Sequence, residues 1–284
     1  MGGETPTELV PSLETTAREI RQEVIRMTYA AGGGHPGGSL SVADLLAALL
    51  FHEMKLDPAR PDWPERDRLV LSKGHAAPAL YAALALRGFL PREELVTLRK
   101  LGSRLQGHVD RNTLSCIEAS TGGLGQGIGI AVGMALDARL AHRSNRVYVV
   151  LGDGECQSGL TWEALMAGGH YRLANLVAIL DRNGLETDGT TEAIMGIEPI
   201  ADKFRAFRYH TLEIDGHDFG QILDALAEAR RTTDRPTAIV ARTVKGKGVS
   251  FMEGQHSFHG RPPTKVEAEK ALAELGGSLA GVAR

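Results

Sequence analysis

The chain has 284 residues, with 32 basic and 35 acidic side chains and a net charge of −3. That balance argues against polyanion binding through bulk charge, and 5 % aromatic residues leave little for a base-stacking nucleic-acid module. With 43 % hydrophobic and 24 % charged residues, disorder, collagen and a whole-chain coiled coil are excluded too. Glycine stands out: 34 of 284 is about 12 %, against about 7 % on average. Such a chain needs many tight turns or close backbone approaches.

The opening MGGETPTELVPSL has no basic segment and no apolar core, so it does not read as a signal peptide. Pro6 also stands where myristoylation requires Ser or Thr. Ile20, Val24, Met27 and Ala31 carry helical spacing and predict a helix over about 14–31, stopping at glycines 32–34. Residues 1–31 are a candidate helical arm. The longest apolar stretch, Leu40 to Phe51, is interrupted by Ser41 and Asp44 and is too short to span a bilayer. Residues 41–52 are expected as a buried helix with Ser41 as N-cap. A strand is expected at Arg68–Leu71, then helices over 76–88 and 91–99, the latter with Pro91 near its first turn. A small-residue helix follows over 124–141.

Val147–Leu151 is a short apolar run of strand type, followed at once by Gly152-Asp-Gly154. A helix is expected over 158–170, then a second buried strand, Leu176–Leu180, ending in Asp181-Arg-Asn-Gly184. Strand, helix and strand within about 35 residues make a βαβ unit and hence a parallel sheet. The strands His210–Ile214 and Thr237–Ala241, with a helix over 218–231 between them, continue the alternation. The fold class is therefore α/β, a parallel sheet with helices on both faces. With no repeat and no linker, residues 1–284 are expected as one domain. Two cysteines, Cys116 and Cys156, make no disulfide framework and fit a reducing compartment, so a cytoplasmic location is expected, with no membrane and no nucleic-acid partner.

In such sheets ligands bind beyond the carboxyl ends of the strands, where Asp153 and Asn183 fall. A carboxylate and an amide oxygen are hard ligands suited to Mg²⁺ or Ca²⁺, and Gly152 and Gly154 would let a diphosphate approach. The helix beginning near Ser158 would then aim its N–H groups at the anion. Either motif alone is also an ordinary strand-end turn. Gly32-Gly-Gly-His-Pro-Gly37 satisfies G-x-G-x-x-G, but it follows a helix and carries Pro36, so a dinucleotide-binding reading is rejected. His256-x-x-His259 has the look of a zinc pair, but no third and fourth ligands stand at suitable spacing. His52, His142, His170, His210 and His217 read as surface or capped side chains.

GDG followed by about 30 residues and Asn resembles the thiamine-diphosphate motif. Four further segments resemble the transketolase family: Gly34-His-Pro-Gly37, Ser72-Lys-Gly-His75 running on to Leu80-Tyr81, Thr121-Gly-Gly-Leu-Gly-Gln-Gly127, and Lys245-Gly-Lys-Gly248 leading to His256-Ser-Phe-His-Gly260. They occur in the family's order from position 34 to 260. The resemblance implies a thiamine-diphosphate-binding (diphosphate-type) fold with thiamine diphosphate and Mg²⁺ as cofactors. It implies metal coordination by Asp153, Asn183 and the Leu185 carbonyl. Diphosphate contacts would come from His75, Gly122, Gly123, Leu124 and Gly154. His35 and His259 would face the donor sugar and move a hydroxyl proton, and His108 would bind substrate near the reacting carbons. Histidine moves protons near neutral pH with little adjustment of its acidity.

The family also resembles a chain about twice this length, with a second domain that supplies the glutamate activating the cofactor. The expectation is thus the N-terminal subunit of a split transketolase, with a fragment of a longer gene product as the alternative. It would act on sugar phosphates with a C-terminal, pyrimidine-binding partner chain, as an α₂β₂ assembly. Ser158 replaces the Glu that many relatives use to couple active sites. Competing readings are the α subunit of a 2-oxo acid dehydrogenase, a deoxyxylulose-phosphate synthase, and a non-catalytic scaffold. The histidine set argues against the first, the usual single-chain layout against the second, and intact Asp153 and Asn183 against the third.

Overall fold

The computed structural model describes residues 6–284. In chain order it runs α1 (Pro6–Ala31), α2 (Pro36–Ser41), α3 (Ala43–Ala48), β1 (Arg68–Leu71), α4 (Ala77–Leu86), α5 (Gln126–Leu140), β2 (Val147–Gly152), α6 (Gly159–His170) and β3 (Leu176–Arg182). It continues with α7 (Thr191–Ile194), α8 (Ile200–Ala206), β4 (His210–Asp215), α9 (Phe219–Arg231), β5 (Thr237–Arg242) and α10 (Lys265–Glu274). The strands form one parallel sheet in the order β1-β2-β3-β5-β4. The chain therefore leaves β3, builds the edge strand β4, and returns to fill the gap with β5.

Strand side chains alternate between two cores, as the two-residue period of a strand requires. Tyr148, Val150, Val177 and Ile179 join the core under α1, α3, α4, α9 and α10. Val149, Leu151, Ala178 and Leu180 join the core under α5, α6 and α8. Burial on both faces explains the unbroken apolar runs of β2 and β3. Among the described residues no helix is long and apolar enough to cross a membrane.

Four expectations about local structure are corrected. Ser41 is not an N-cap: the helix starts earlier, with Pro36 at its first position, and breaks at Val42. The Ser41 hydroxyl donates instead to Asp181 Oδ2 at 2.7 Å. Beyond α3 the chain tightens into a π-turn, Leu49–Glu53, so 41–52 is not one helix. Residues 92–97 form a 3₁₀ turn, with Pro91 extended in front of it rather than inside a helix. Nor does α1 stand off as an arm: Leu13, Ala17, Ile20, Val24 and Met27 are buried in the first core.

Close approach explains part of the glycine content. A Cβ on Gly127, at the start of α5, would fall 2.3 Å from Ser72 Oγ and 2.6 Å from Ser72 Cα. Only a residue without a side chain lets α5 begin against the end of β1. Gly129, two residues on, has nothing within 4 Å of the same position. We predict that Gly127→Ala destabilises the purified chain by about 1–3 kcal/mol through overpacking. Gly129→Ala should instead stabilise it, by up to about 1 kcal/mol from helix propensity. Urea denaturation of both variants decides; equal effects would remove the contact with Ser72 as the cause.

Candidate active site

β2 and β3 are hydrogen-bonded neighbours, with Gly152 opposite Asp181. Their ends therefore bring Asp153 and Asn183 to one edge of the sheet. Asp153 Oδ2 accepts from the Gly184 amide at 2.5 Å and from Arg182 Nη1 at 3.1 Å. Its Oδ1 accepts from Gly154 N at 3.1 Å, and Asn183 Oδ1 accepts from Leu185 N at 3.1 Å. Asp153, Asn183 and Leu185 line one cavity of about 150 Å³, together with Gly154, His75, Leu124 and His259. Gly122 and Gly123 do not line it. A Cβ on Gly122 would lie 3.2 Å from the His108 ring, and Gly123 packs on Gln126.

The four histidines singled out from the sequence converge. The His35 ring centroid lies 5.4 Å from His75, 5.5 Å from His108 and 5.5 Å from His259, and His75 lies 4.9 Å from His259. Gly34 makes this possible: its φ of +125° turns the chain out of α1, and a Cβ there would meet Thr28 at 2.9 Å. Burial, then the charges of His108, Arg99 and Lys245, lower His35 to about 4. Burial, then Lys245, lower His259 to about 3. His75 retains some exposed surface at the cavity, yet burial and then Lys73 hold it well below its ordinary value. All three are neutral imidazoles at pH 7. His35 Nδ1 is buried with no hydrogen-bond partner.

The strongest charges in the site were not singled out from the sequence. Lys73 and Lys245 are almost fully buried. Lys73 Nζ donates to Asp181 and, at 3.1 Å, to the Gly38 carbonyl. Lys245 Nζ lies 3.4 Å from the Leu185 carbonyl, 3.2 Å from that of Glu186 and 2.9 Å from His259 Nδ1. Burial, then Lys73, lower Lys245 to about 8, so at pH 7 it remains mostly charged and donates to His259. That fixes the His259 proton on Nε2. Glu155 is buried and accepts from Ser72, from Gly125 N at 2.8 Å and from Gly152 N at 3.1 Å. It locks the glycine loop before α5 onto the ends of β1 and β2. Both lysines stand inside family-like motifs, Ser72-Lys-Gly-His75 and Lys245-Gly-Lys-Gly248, but nothing in their spacing reveals that they line one cavity.

The residues present fit a diphosphate with a cation. A Cβ on Gly38 would stand 3.4 Å from both His75 Nε2 and Lys73 Nζ, so its absence leaves the space between those two nitrogens open. Burial, and then Asp181, raise Asp153 above the ordinary carboxylate range, a cost that a bound cation would relieve. Among the described residues no cluster of three His, Cys, Asp or Glu side chains could hold a metal, so a cation here would take mixed oxygen donors. His256 and His259 do not pair as for zinc: His256 Nδ1 faces the Thr187 carbonyl at 3.3 Å. The start of α6 is not part of the cavity wall; the 3₁₀ turn Gly154–Gln157 stands between. A larger cleft of about 540 Å³ lies beside the ends of β4 and β5, lined by His217 and Val244 and by none of the four clustered histidines.

The depressed histidines predict a pH dependence. An unfolded chain takes up protons on His35 and His259 below about 6.5, whereas the folded chain refuses them until about 4 and 3. Their contribution to stability is complete above about pH 6.5 and is lost as pH falls toward those values. The urea midpoint of the chain should drop between pH 6.5 and 4, and less steeply in His35→Gln. An unchanged slope in that variant would show that His35 titrates normally.

Residues 13–279 match the family described as "Transketolase, thiamine diphosphate binding domain". The chain is 47 % identical to the 6-deoxy-6-sulfo-D-fructose transketolase subunit SqwG of Clostridium sp. (strain MSTE9), covering 93 % of this chain and 96 % of that protein. It is 41 % identical to an apulose-4-phosphate transketolase subunit of Phocaeicola vulgatus, over 94 % of each. The solved transketolase of Campylobacter jejuni superposes with a TM-score of 0.89 at 35 % identity, over 94 % of this chain. The chain spans only 43 % of that solved chain and 42 % of mouse transketolase. With the motifs, the sheet and these matches in agreement, the chain belongs to the transketolase family, as its thiamine-diphosphate-binding domain.

Proposed function

We propose that this chain is the N-terminal subunit of a two-chain transketolase, with residues 1–284 as one diphosphate-binding domain. It would hold thiamine diphosphate through Mg²⁺ and move a two-carbon ketol unit from a ketose to an aldose. The observation that carries this is that Asp153 and Asn183 meet at the strand ends in one cavity with His75, His259 and two buried lysines, with His35 and His108 clustered against those rings. Asp153, the Asn183 side chain and the Leu185 carbonyl would hold the metal. His75, Lys73, Lys245, Leu124 and Gly154, which line the cavity, would hold the diphosphate, while Gly122 and Gly123 stand outside its wall. When bound, the thiazolium ring supplies the electron sink for cleavage of the bond beside the ketose carbonyl.

The chain's own residues then handle protons and position. His259 carries its proton on Nε2, and His35 Nδ1 is buried without a hydrogen-bond partner, so both imidazoles keep a nitrogen uncommitted within the protein. Neutral His35 can accept the hydroxyl proton of the donor as its carbon–carbon bond breaks and return it to the product, while His259, its Nδ1 taken by Lys245, would donate a hydrogen bond from Nε2 to the reacting oxygen. His108, more exposed and next to His35, would bind substrate near the reacting carbons. The relatives of matching length are named for 6-deoxy-6-sulfo-D-fructose and apulose-4-phosphate. Those names support sugars with an anionic end group, sugar phosphates foremost, as the substrate class.

A C-terminal partner chain would complete the site, in an α₂β₂ assembly. Exposed apolar side chains on and beside α5 and α6, Leu124, Ile130, Leu160 and Met166, support a partner on that side. Ser158 carries no carboxylate, so no proton linkage between sites is assigned to it. Free Cys116 and Cys156 support a reducing, cytoplasmic setting.

The test uses the chain with and without its partner subunit. The chain alone should show negligible ketol transfer, and robust turnover by it would end the split-site reading. Within the complex, Asp153→Ala should abolish Mg²⁺-dependent cofactor binding in calorimetry; an unchanged affinity would remove Asp153 from the metal site. His259→Ala should lower kcat by about 10²–10⁴-fold with cofactor affinity within about threefold. Equal losses in both would make its role cofactor binding rather than transition-state hydrogen bonding.

A further inference from the structure

His217 lies outside the cofactor cavity, in the connection between β4 and α9, and by spacing alone it reads as an ordinary surface or capped histidine. In the structure both its ring nitrogens are committed. The Val244 amide lies 2.9 Å from Nε2. A backbone amide can only donate, so Nε2 carries no proton. The proton is therefore on Nδ1, which lies 2.6 Å from Asp44 Oδ2 and donates to it. Arg21 of α1 grips the same carboxylate, with Nη1 3.0 Å from Oδ1. Contacts thus run from α1 through α3 and His217 to Val244, the residue before Lys245.

Backbone carbonyls anchor the flanking amides: Thr243 N–H donates to Arg182 O at 3.0 Å and Gly246 N–H to Gly37 O at 3.0 Å. Val244 N–H depends on a side chain. We propose that His217 is a positioning residue whose neutral Nδ1–H imidazole fixes the backbone at Val244. Through it, His217 aims the Lys245 ammonium at His259 and into the cofactor cavity. The part that concerns diphosphate binding rests on the thiamine-diphosphate reading above. No other side chain of this size accepts from an amide and donates to a carboxylate from opposite ends of one rigid ring. Lysine is a long, flexible donor, so the direction in which it leaves the backbone decides where its charge is delivered.

The test pairs His217→Phe, which removes the acceptor, with His217→Gln, whose amide oxygen restores one. In the complex with the partner subunit, the Phe variant should weaken thiamine diphosphate–Mg²⁺ affinity about tenfold, the scale of one lost hydrogen bond, and the Gln variant by no more than about threefold. Independently of cofactor, hydrogen exchange at the Val244 amide of the full chain should accelerate in the Phe variant and recover in the Gln variant. The ¹⁵N spectrum of the wild-type imidazole should show the Nδ1–H tautomer. A wild-type Nε2–H tautomer would overturn the proposal even if the Phe variant failed to fold. So would a Phe variant that lowers Tm while keeping cofactor affinity and Val244 protection. Absence of cofactor affinity in the wild-type complex would sink the thiamine-diphosphate reading instead, and the tautomer and exchange results would still decide whether His217 holds Val244.

Discussion

One buried carboxylate holds the site together. Asp181 is the penultimate residue of the central strand β3 and is fully buried. Burial alone would push it up, but Lys73, with hydrogen bonds from Thr243 and Ser41, holds it below the ordinary carboxylate range. Its partners come from α2, from the turn after β1 and from the end of β5. A buried charge must be paired and hydrogen-bonded, and breaking such a pair costs about 3–5 kcal/mol. Asp181 thus forces segments far apart in sequence to meet where the strands end.

The local electrostatics follow from that junction. Lys73 spends its charge on Asp181 and on the Gly38 carbonyl, while Lys245 spends part of its own on carbonyls and on His259. The remaining positive field suits an anionic ligand. The same field, with burial, keeps the histidines neutral, the form that can accept a proton. Anion binding and proton acceptance therefore share one cause.

The periphery serves the same end. Glu155 ties the glycine loop before α5 to two strand ends, and Gly127 lets α5 start against Ser72. Arg21, Asp44 and His217 brace the segment after β5 from the opposite side. Each brace joins chain segments that secondary structure alone would leave independent.

Local pattern determined much by itself. The apolar runs at β2 and β3 carried the parallel α/β sheet, because burial on both faces imposes them. The placement of Asp153 and Asn183 beyond neighbouring strands followed from βαβ geometry, and the ordered histidine motifs carried the family. The fate of Ser41, the break at Val42 and the 3₁₀ turn after Pro91 lay beyond that reach, since tertiary partners outcompeted local propensity there. So did the meeting of Lys73 with Asp181, of Lys245 with His259, and of His217 with Val244. Periodicity tells which face of an element is buried, whereas pairings between residues 14 to 108 positions apart exist only once the sheet order and helix packing bring them within hydrogen-bond reach.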